Sequence, residues 1–85
     1  MKTFTYTIKD ELGIHARPAG MLAKTAKAYD SEITITKDGK SVLCTKLMAL
    51  MGLGAKYGDT VTITINGGDE AAAEQGIRSF LEANL

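Results

Sequence analysis

Three residues near the N-terminus could do chemistry together: His15, Arg17 and Pro18, within the stretch DELGIHARPAG (residues 10–20). The chain has no other histidine and no other proline. An imidazole titrates near neutral pH, so much of it is uncharged and nucleophilic at physiological pH. A guanidinium is a permanent cation whose planar fork fits phosphate oxygens. This combination predicts reversible phosphorylation of the imidazole ring.

A helix that begins close to His15 must position these groups. Apolar residues recur at helical spacing from Ala19 to Tyr29, which predicts a helix over about residues 16–29. Proline is tolerated only in the first turn of a helix, so Pro18 fixes where this helix starts. The unpaired amides of the first turn, at Ala16 and Arg17, are then expected to bind the phosphate. The alternative explanation is that His15 is only a residue at the surface that caps the start of the helix and takes part in no reaction.

The chain lacks the residue sets that other kinds of catalytic or binding site would need. One histidine and one cysteine cannot make a His/Cys metal site, so we expect no metal. No carboxylate pair or serine triad stands out, and no GxxxxGK[ST] phosphate loop occurs. We expect no cofactor.

The remaining elements follow from apolar periodicity. TFTYTI, EITIT and TVTITI alternate threonine or charge with apolar residues, which predicts strands with one buried face. Asp38-Gly39 predicts a tight hairpin turn, and Asp69 is a good N-cap for a last helix. The order strand, helix, strand, strand, short helix, strand, helix predicts a two-layer α+β domain with all helices on one face of the sheet. The pattern does not separate this fold from a ferredoxin-like arrangement.

Bulk properties exclude several classes of partner. The 85 residues suit one domain, and ten basic residues balance ten acidic ones, which disfavours nucleic acid and anionic membranes. Cys44 is the only cysteine, so it can form no intrachain disulfide and is expected to fill space in the core. Neither a signal peptide nor a membrane span is evident, so we expect a cytoplasmic protein. We also expect a monomer.

The short helix TKLMALMGLG carries more apolar residues than can face inward. Leu50 and Leu53 are expected in the core, whereas Met48 and Met51 could either join the core or form a docking surface. Lysines such as Lys24 and Lys27 would attract acidic partners if they surround the histidine.

GIHARPAG, KDGK, KLMALMGLG and GDTVTI occur in an order and at a spacing that resemble the HPr family, over essentially the whole chain. These are histidine-containing phosphocarriers of the sugar phosphotransferase system. The resemblance implies an open-faced β-sandwich, a four-stranded antiparallel sheet with three helices on one face. It implies that His15 takes phosphate that comes from phosphoenolpyruvate through enzyme I and passes it to the A component of a sugar-specific permease. Arg17 would steady the phosphate, and the carrier would not be an enzyme acting on free substrate.

The family's docking surface would correspond here to residues of the first and second helices: Ala16, Gly20, Lys24, Lys27, Leu47, Met48 and Met51. Two positions depart from relatives. Lys46 stands where Gram-positive members have a regulatory serine, and a lysine cannot accept that phosphate. Thr45 could stand in, although a shift of one residue rotates its hydroxyl by about 100° around a helix. Leu12 replaces a small polar residue that could have donated to the phosphate.

Two other functions stay open. An HPr-like paralogue that only binds regulatory proteins would need neither His15 nor Arg17. A ferredoxin-like domain that binds RNA or metal would need stacking aromatics, basic excess or a CxxC motif, and the chain has none of these.

Overall fold

The seven elements occur in the expected order along the chain. A computed structural model describes residues 1–85. Its elements are β1 (Lys2–Thr7), α1 (Ala16–Lys27), β2 (Glu32–Lys37), β3 (Lys40–Leu43), α2 (Leu47–Gly52), β4 (Thr60–Asn66) and α3 (Glu70–Asn84). No helix is long and apolar enough to cross a membrane.

The strands form one antiparallel sheet in the order β1-β4-β2-β3. Ile63 of β4 lies between Phe4 of β1 and Ile35 of β2, and all three are buried. Threonines occupy the opposite face, where Thr62 lies between Thr5 and Thr36. The three helices cover the apolar face only, so the open-faced sandwich is confirmed. The ferredoxin-like alternative is wrong, because its first and third strands would be central, whereas β1 and β3 are the edge strands of this sheet.

The core joins the helices to the sheet. Leu22, Leu50 and Ile77 represent the three helices in it, and each is fully buried. Leu53 and Cys44 are also buried, as predicted. Helix α1 packs against both α2 and α3, so it lies between them on the sheet.

The hairpin between β2 and β3 turns as predicted. Asp38 and Gly39 both adopt positive φ, 51° and 80°, which is the geometry of a type I′ turn. Two lysines beside this turn reach α2: Lys40 Nζ donates to the Gly52 carbonyl (3.0 Å) and Lys37 Nζ to the Gly54 carbonyl (2.9 Å). The hairpin thus supplies cations to the negative end of the short helix.

Helix α1 ends two residues earlier than its apolar pattern indicates. It stops at Lys27, because the amides of Ala28 and Tyr29 bond three residues back, to Thr25 and Ala26 (both 3.2 Å). Tyr29 lies in the following turn but still packs on the core, with its hydroxyl in the space that a side chain at Gly76 would need. A side chain packed after the end of a helix can continue the helical apolar pattern.

Candidate functional site

His15 is the N-cap residue of α1. Its backbone is extended (φ −112°, ψ −177°), and its carbonyl accepts the first helical hydrogen bond, from Ala19 N (2.9 Å). Its side chain caps nothing and is about one-third exposed (37%). The amides of Ala16 and Arg17 donate to no other group of the protein, and Pro18 has no N–H. The ring therefore lies at a helix terminus with two free donors.

The turn before His15 is fixed by its own hydrogen bonds. The Asp10 carboxylate accepts from Leu12 N through Oδ1 (2.8 Å), and the Asp10 carbonyl accepts from Gly13 N (2.9 Å). Gly13 adopts φ 68°, and a side chain there would overlap the Ala55 carbonyl oxygen. That same oxygen accepts from Ile14 N (3.0 Å). A glycine is thus required for the chain to pass this close to the segment after α2.

An open cavity of about 280 Å³ lies beside the ring. It forms where the start of α1 meets the end of α3, and the amides of Lys9 and Asp10 both donate to the Leu85 carbonyl. Its lining consists of Asp10, His15, Arg17, Pro18, Met21, Ala83 and Asn84. The structure thus brings the expected His15 and Arg17 together at one opening. It is large enough for an anion the size of phosphate.

Sequence reasoning missed four residues of this lining, Asp10, Met21, Ala83 and Asn84. Asp10 matters most, since its Oδ2 lies 3.7 Å from His15 Nε2. This separation is within ion-pair range and too long for a direct hydrogen bond. The signal that could have found Asp10 is its turn chemistry, because aspartate often bonds the amide two residues on. Nothing in the sequence indicates that the end of α3 reaches this point.

The residues expected to dock partners lie on the two helices that pack against each other. Lys24 and Lys27 are exposed on α1, and Gly20 is half-buried. On α2, Leu47, Met48 and Met51 are exposed, Met48 the most at 76%, whereas Leu50 is fully buried. The open choice for the methionines is therefore settled in favour of exposure. Ala16, at the start of α1, is exposed as well.

The two positions that depart from relatives are both exposed. Lys46 is the N-cap residue of α2 and makes no cap hydrogen bond, while the adjacent Thr45 is half-buried. Leu12 is 72% exposed and follows the Asp10 turn. Lys46 has no hydroxyl that could accept a phosphate, and the apolar side chain of Leu12 has no hydrogen-bond donor.

Cys44 is unsuited to act as a second nucleophile. Its side chain is fully buried, and burial raises the pKa of the thiol to about 12. The reactive thiolate is therefore scarce at neutral pH. The only imidazole of the chain, in contrast, is partly exposed.

Comparison with known proteins agrees with this geometry. A family model described as "PTS HPr component phosphorylation site" matches residues 2–83. The chain is 40% identical over 85 residues to the phosphocarrier protein HPr of Mycoplasma genitalium, covering 99% of this chain and 97% of that one.

Solved structures superpose on the whole fold. A histidine-containing phosphocarrier protein from a mycoplasma matches with a TM-score of 0.93 and 35% identity, covering 96% of this chain and 93% of that one. An HPr dimer from Thermoanaerobacter tengcongensis matches with a TM-score of 0.77 and 36% identity, covering 98% and 95%.

Proposed function

The chain belongs to the HPr family of phosphocarriers of the phosphotransferase system, and from this premise we propose that His15 is the residue that carries the phosphoryl group. We propose that it receives the group from enzyme I, with phosphoenolpyruvate as the source, and passes it to the A component of a sugar-specific permease. The observation that carries the proposal is a partly exposed imidazole at a helix N-terminus, with two free amides and an arginine beside an open cavity.

The transfer step follows from the groups at this site. An unprotonated ring nitrogen of His15 attacks phosphorus, an N–P bond forms, and the bond from phosphorus to the donor breaks, with its electron pair leaving on the donor. Arg17 and the amides of Ala16 and Arg17 face the phosphoryl oxygens as charge spreads over them. The return transfer to the next acceptor uses the same groups in reverse.

A carrier must not bind its cargo too well. The site is open to solvent, and its cationic groups are one guanidinium and one helix terminus. Interactions speed transfer only when they are stronger in the transition state than in the phosphorylated resting state. A shallow site that holds the phosphate without burying it fits that requirement.

We propose that partners dock on the exposed face formed by α1 and α2. Its residues are Gly20, Lys24, Lys27, Leu47, Met48 and Met51. Methionine side chains adapt to differently shaped apolar surfaces, which suits one carrier that serves several proteins. The lysines favour acidic partners and faster association.

Lys46 removes the acceptor on which regulation of Gram-positive relatives depends. Its cation stands at the N-terminus of α2, where a phosphoserine would have placed negative charge. We propose that this carrier is not regulated by phosphorylation at position 46. Thr45 keeps a hydroxyl next to it, but half-buried.

We further propose that residues 1–85 act as one HPr-like domain and as a cytoplasmic monomer. The docking face and the cavity both lie within a single copy of the chain. Light scattering of the purified protein tests the oligomeric state, because a related HPr has been solved as a dimer.

Intact mass spectrometry after incubation with enzyme I and phosphoenolpyruvate tests the main proposal. We expect the wild-type chain to gain one acid-labile phosphoryl group and the His15→Ala variant to gain none. A matched control is Thr45→Ala, which should be phosphorylated like wild type. Absence of any mass gain in the wild-type chain, with enzyme I active on a known HPr, would refute the proposal and favour a protein that only binds regulatory partners.

A further inference from the structure

The turn that ends at His15 carries a carboxylate that the phosphocarrier step described above does not use. Asp10 is rigidly placed, because its Oδ1 accepts from Leu12 N (2.8 Å), its carbonyl accepts from Gly13 N (2.9 Å) and its own amide donates to Leu85 O (2.8 Å). Its second oxygen, Oδ2, faces Nε2 of His15 at 3.7 Å. The two side chains are only 28% and 37% exposed.

We propose that Asp10 is a positioning residue that keeps the imidazole proton of neutral His15 on Nε2 and so leaves Nδ1 as the nitrogen that attacks phosphorus. A negative charge close to one ring nitrogen favours the tautomer that carries its proton there. The role in attack rests on the proposed phosphorylation of His15. The placement of the proton does not.

Proton placement matters because a ring nitrogen attacks through its lone pair. With the proton on Nε2, Nδ1 attacks without first losing a proton, the N–P bond forms, and the proton stays on Nε2 facing Asp10. With the proton on Nδ1, that nitrogen must be deprotonated before it can react. Asp10 therefore increases the reactive fraction of the ring.

Asparagine at position 10 should reverse this preference. The Leu12 amide donates to Oδ1 of Asp10, and of the two ends of an asparagine amide only the oxygen accepts, so the oxygen is expected in the place of Oδ1. The amide NH₂ then faces Nε2 and favours a lone pair on that nitrogen. Asp10→Asn keeps the turn and the size of the side chain but inverts the polarity seen by the ring.

The single histidine makes the measurement direct, because ¹⁵N-histidine labelling gives one pair of ring signals. Spectra are recorded well above the ordinary titration range of imidazole. We expect wild type to hold its proton on Nε2 and Asp10→Asn to shift a large share to Nδ1. Phosphorylation of Asp10→Asn by enzyme I should slow severalfold, up to roughly tenfold, in proportion to the lost Nε2-H tautomer. The loss is smaller than for a buried, hydrogen-bonded Asp–His pair because this contact is long and partly exposed.

Glu11→Gln is the matched control, since it removes the same charge one residue away from an exposed side chain. It should change neither the ring signals nor the rate. A wild-type proton on Nδ1 would overturn the inference without any variant. Equal ring signals in wild type and Asp10→Asn, or an equal shift in Glu11→Gln, would also overturn it. Failure of wild type to be phosphorylated bears instead on the proposed function.

Discussion

The N-termini of α1 and α3 differ in whether the chain's own side chains compensate their unpaired amides and positive dipole end. At α3, the Asp69 side chain accepts from Ala72 N (3.1 Å), and Glu70 in the first turn accepts from Gly67 N (2.7 Å). At α1, no side chain caps the helix and the first turn contains no acidic residue. Both termini have free donors and a positive dipole end.

We interpret the difference as room at α1 for the phosphoryl group that His15 is proposed to carry. The carboxylates of α3 belong to the chain and stay in place, so negative charge already lies at the positive end of this helix. The terminus of α1 has a poor N-cap residue and an arginine, and under the proposed function it is where the phosphoryl group binds. Local stability at α1 is therefore lower than the best sequence would give.

Giving the N-terminus of α1 a side-chain cap, like the one that Asp69 provides for α3, should have the largest effect on stability and on phosphorylation. In His15→Asn, the new side chain can cap the helix, so we expect the free energy of unfolding to rise by about 0.5–1 kcal/mol while phosphorylation is abolished. Urea denaturation and intact mass measure the two quantities. His15→Ala is the control, because it loses the phosphate without adding a cap. Equal stability of the two variants would contradict the view that this terminus is uncapped.

Removing the cation of the α1 terminus tests whether it serves transfer rather than folding. Arg17 forms no ion pair within the chain and is exposed. We expect Arg17→Ala to slow phosphoryl transfer by roughly 10²-fold, comparable to loss of one donor to a transition state. The melting temperature should hardly change, since alanine is a good helix former.

Arg17→Lys separates charge from geometry, because lysine keeps the cation and loses the planar fork. Its rate should lie between those of wild type and Arg17→Ala. A loss of stability in Arg17→Ala as marked as its loss of rate would place Arg17 in the folding of the turn.

The reverse experiment removes the cap of α3. Asp69→Ala leaves the Ala72 amide without its side-chain acceptor, so we expect about 1 kcal/mol less stability in urea denaturation. The rate of phosphorylation should stay at the wild-type value. Asp69→Asn retains an acceptor and should keep most of the stability. A slower transfer in Asp69→Ala would show that the two termini are coupled through the packing of α1 on α3.

The smallest effect concerns the pH dependence of the α3 terminus. The pKa of Glu70 is lowered, first by its contact with the Met1 ammonium and then by the Gly67 N–H. Because the folded pKa lies below the unfolded one, the stabilisation is present above the ordinary glutamate range and is lost as pH falls through the folded pKa. Wild type should thus melt slightly higher than Glu70→Gln at pH 7, and this difference should vanish in acid.

The control for that series is Glu11→Gln, which removes an exposed carboxylate outside the α3 terminus. High salt should shrink the Glu70 effect, since the group is near solvent. If the melting temperatures of wild type and Glu70→Gln differed more in acid than at pH 7, the stabilisation could not come from the ionised Glu70 carboxylate.

The sequence alone could place most of the helix and strand elements because their signals are local. Pro18 set the start of α1, Asp38-Gly39 set the hairpin, and alternating threonines identified the solvated face of the sheet. The pattern already indicated that all helices lie on one face of the sheet. The resemblance carried in GIHARPAG supplied the open-faced sandwich, which the pattern did not separate from a ferredoxin-like arrangement. The shortness of α2 predicted that some of its apolar residues are exposed, but the pattern left open whether Met48 and Met51 are among them.

The cavity could not be predicted in the same way because its walls are far apart in the chain. Asn84 and Ala83 reach His15 only because α3 packs across α1, which is a property of the folded chain. The Asp10 contact depends on a turn whose shape requires Gly13 to pass Ala55, and no local pattern indicates that encounter. The helical period misplaced Tyr29 for the same reason, since its packing partner is on α3.

The inert thiol of Cys44 has a practical consequence. A cysteine introduced at Thr5, on the solvated face of the sheet, would be the only thiol available to a maleimide dye. That face is opposite the helices, so a fluorophore there should not disturb phosphoryl transfer at His15. It would report how the rotational diffusion of the carrier changes when a partner binds. The fold thus offers a labelling position that single-molecule measurements of the carrier could use directly.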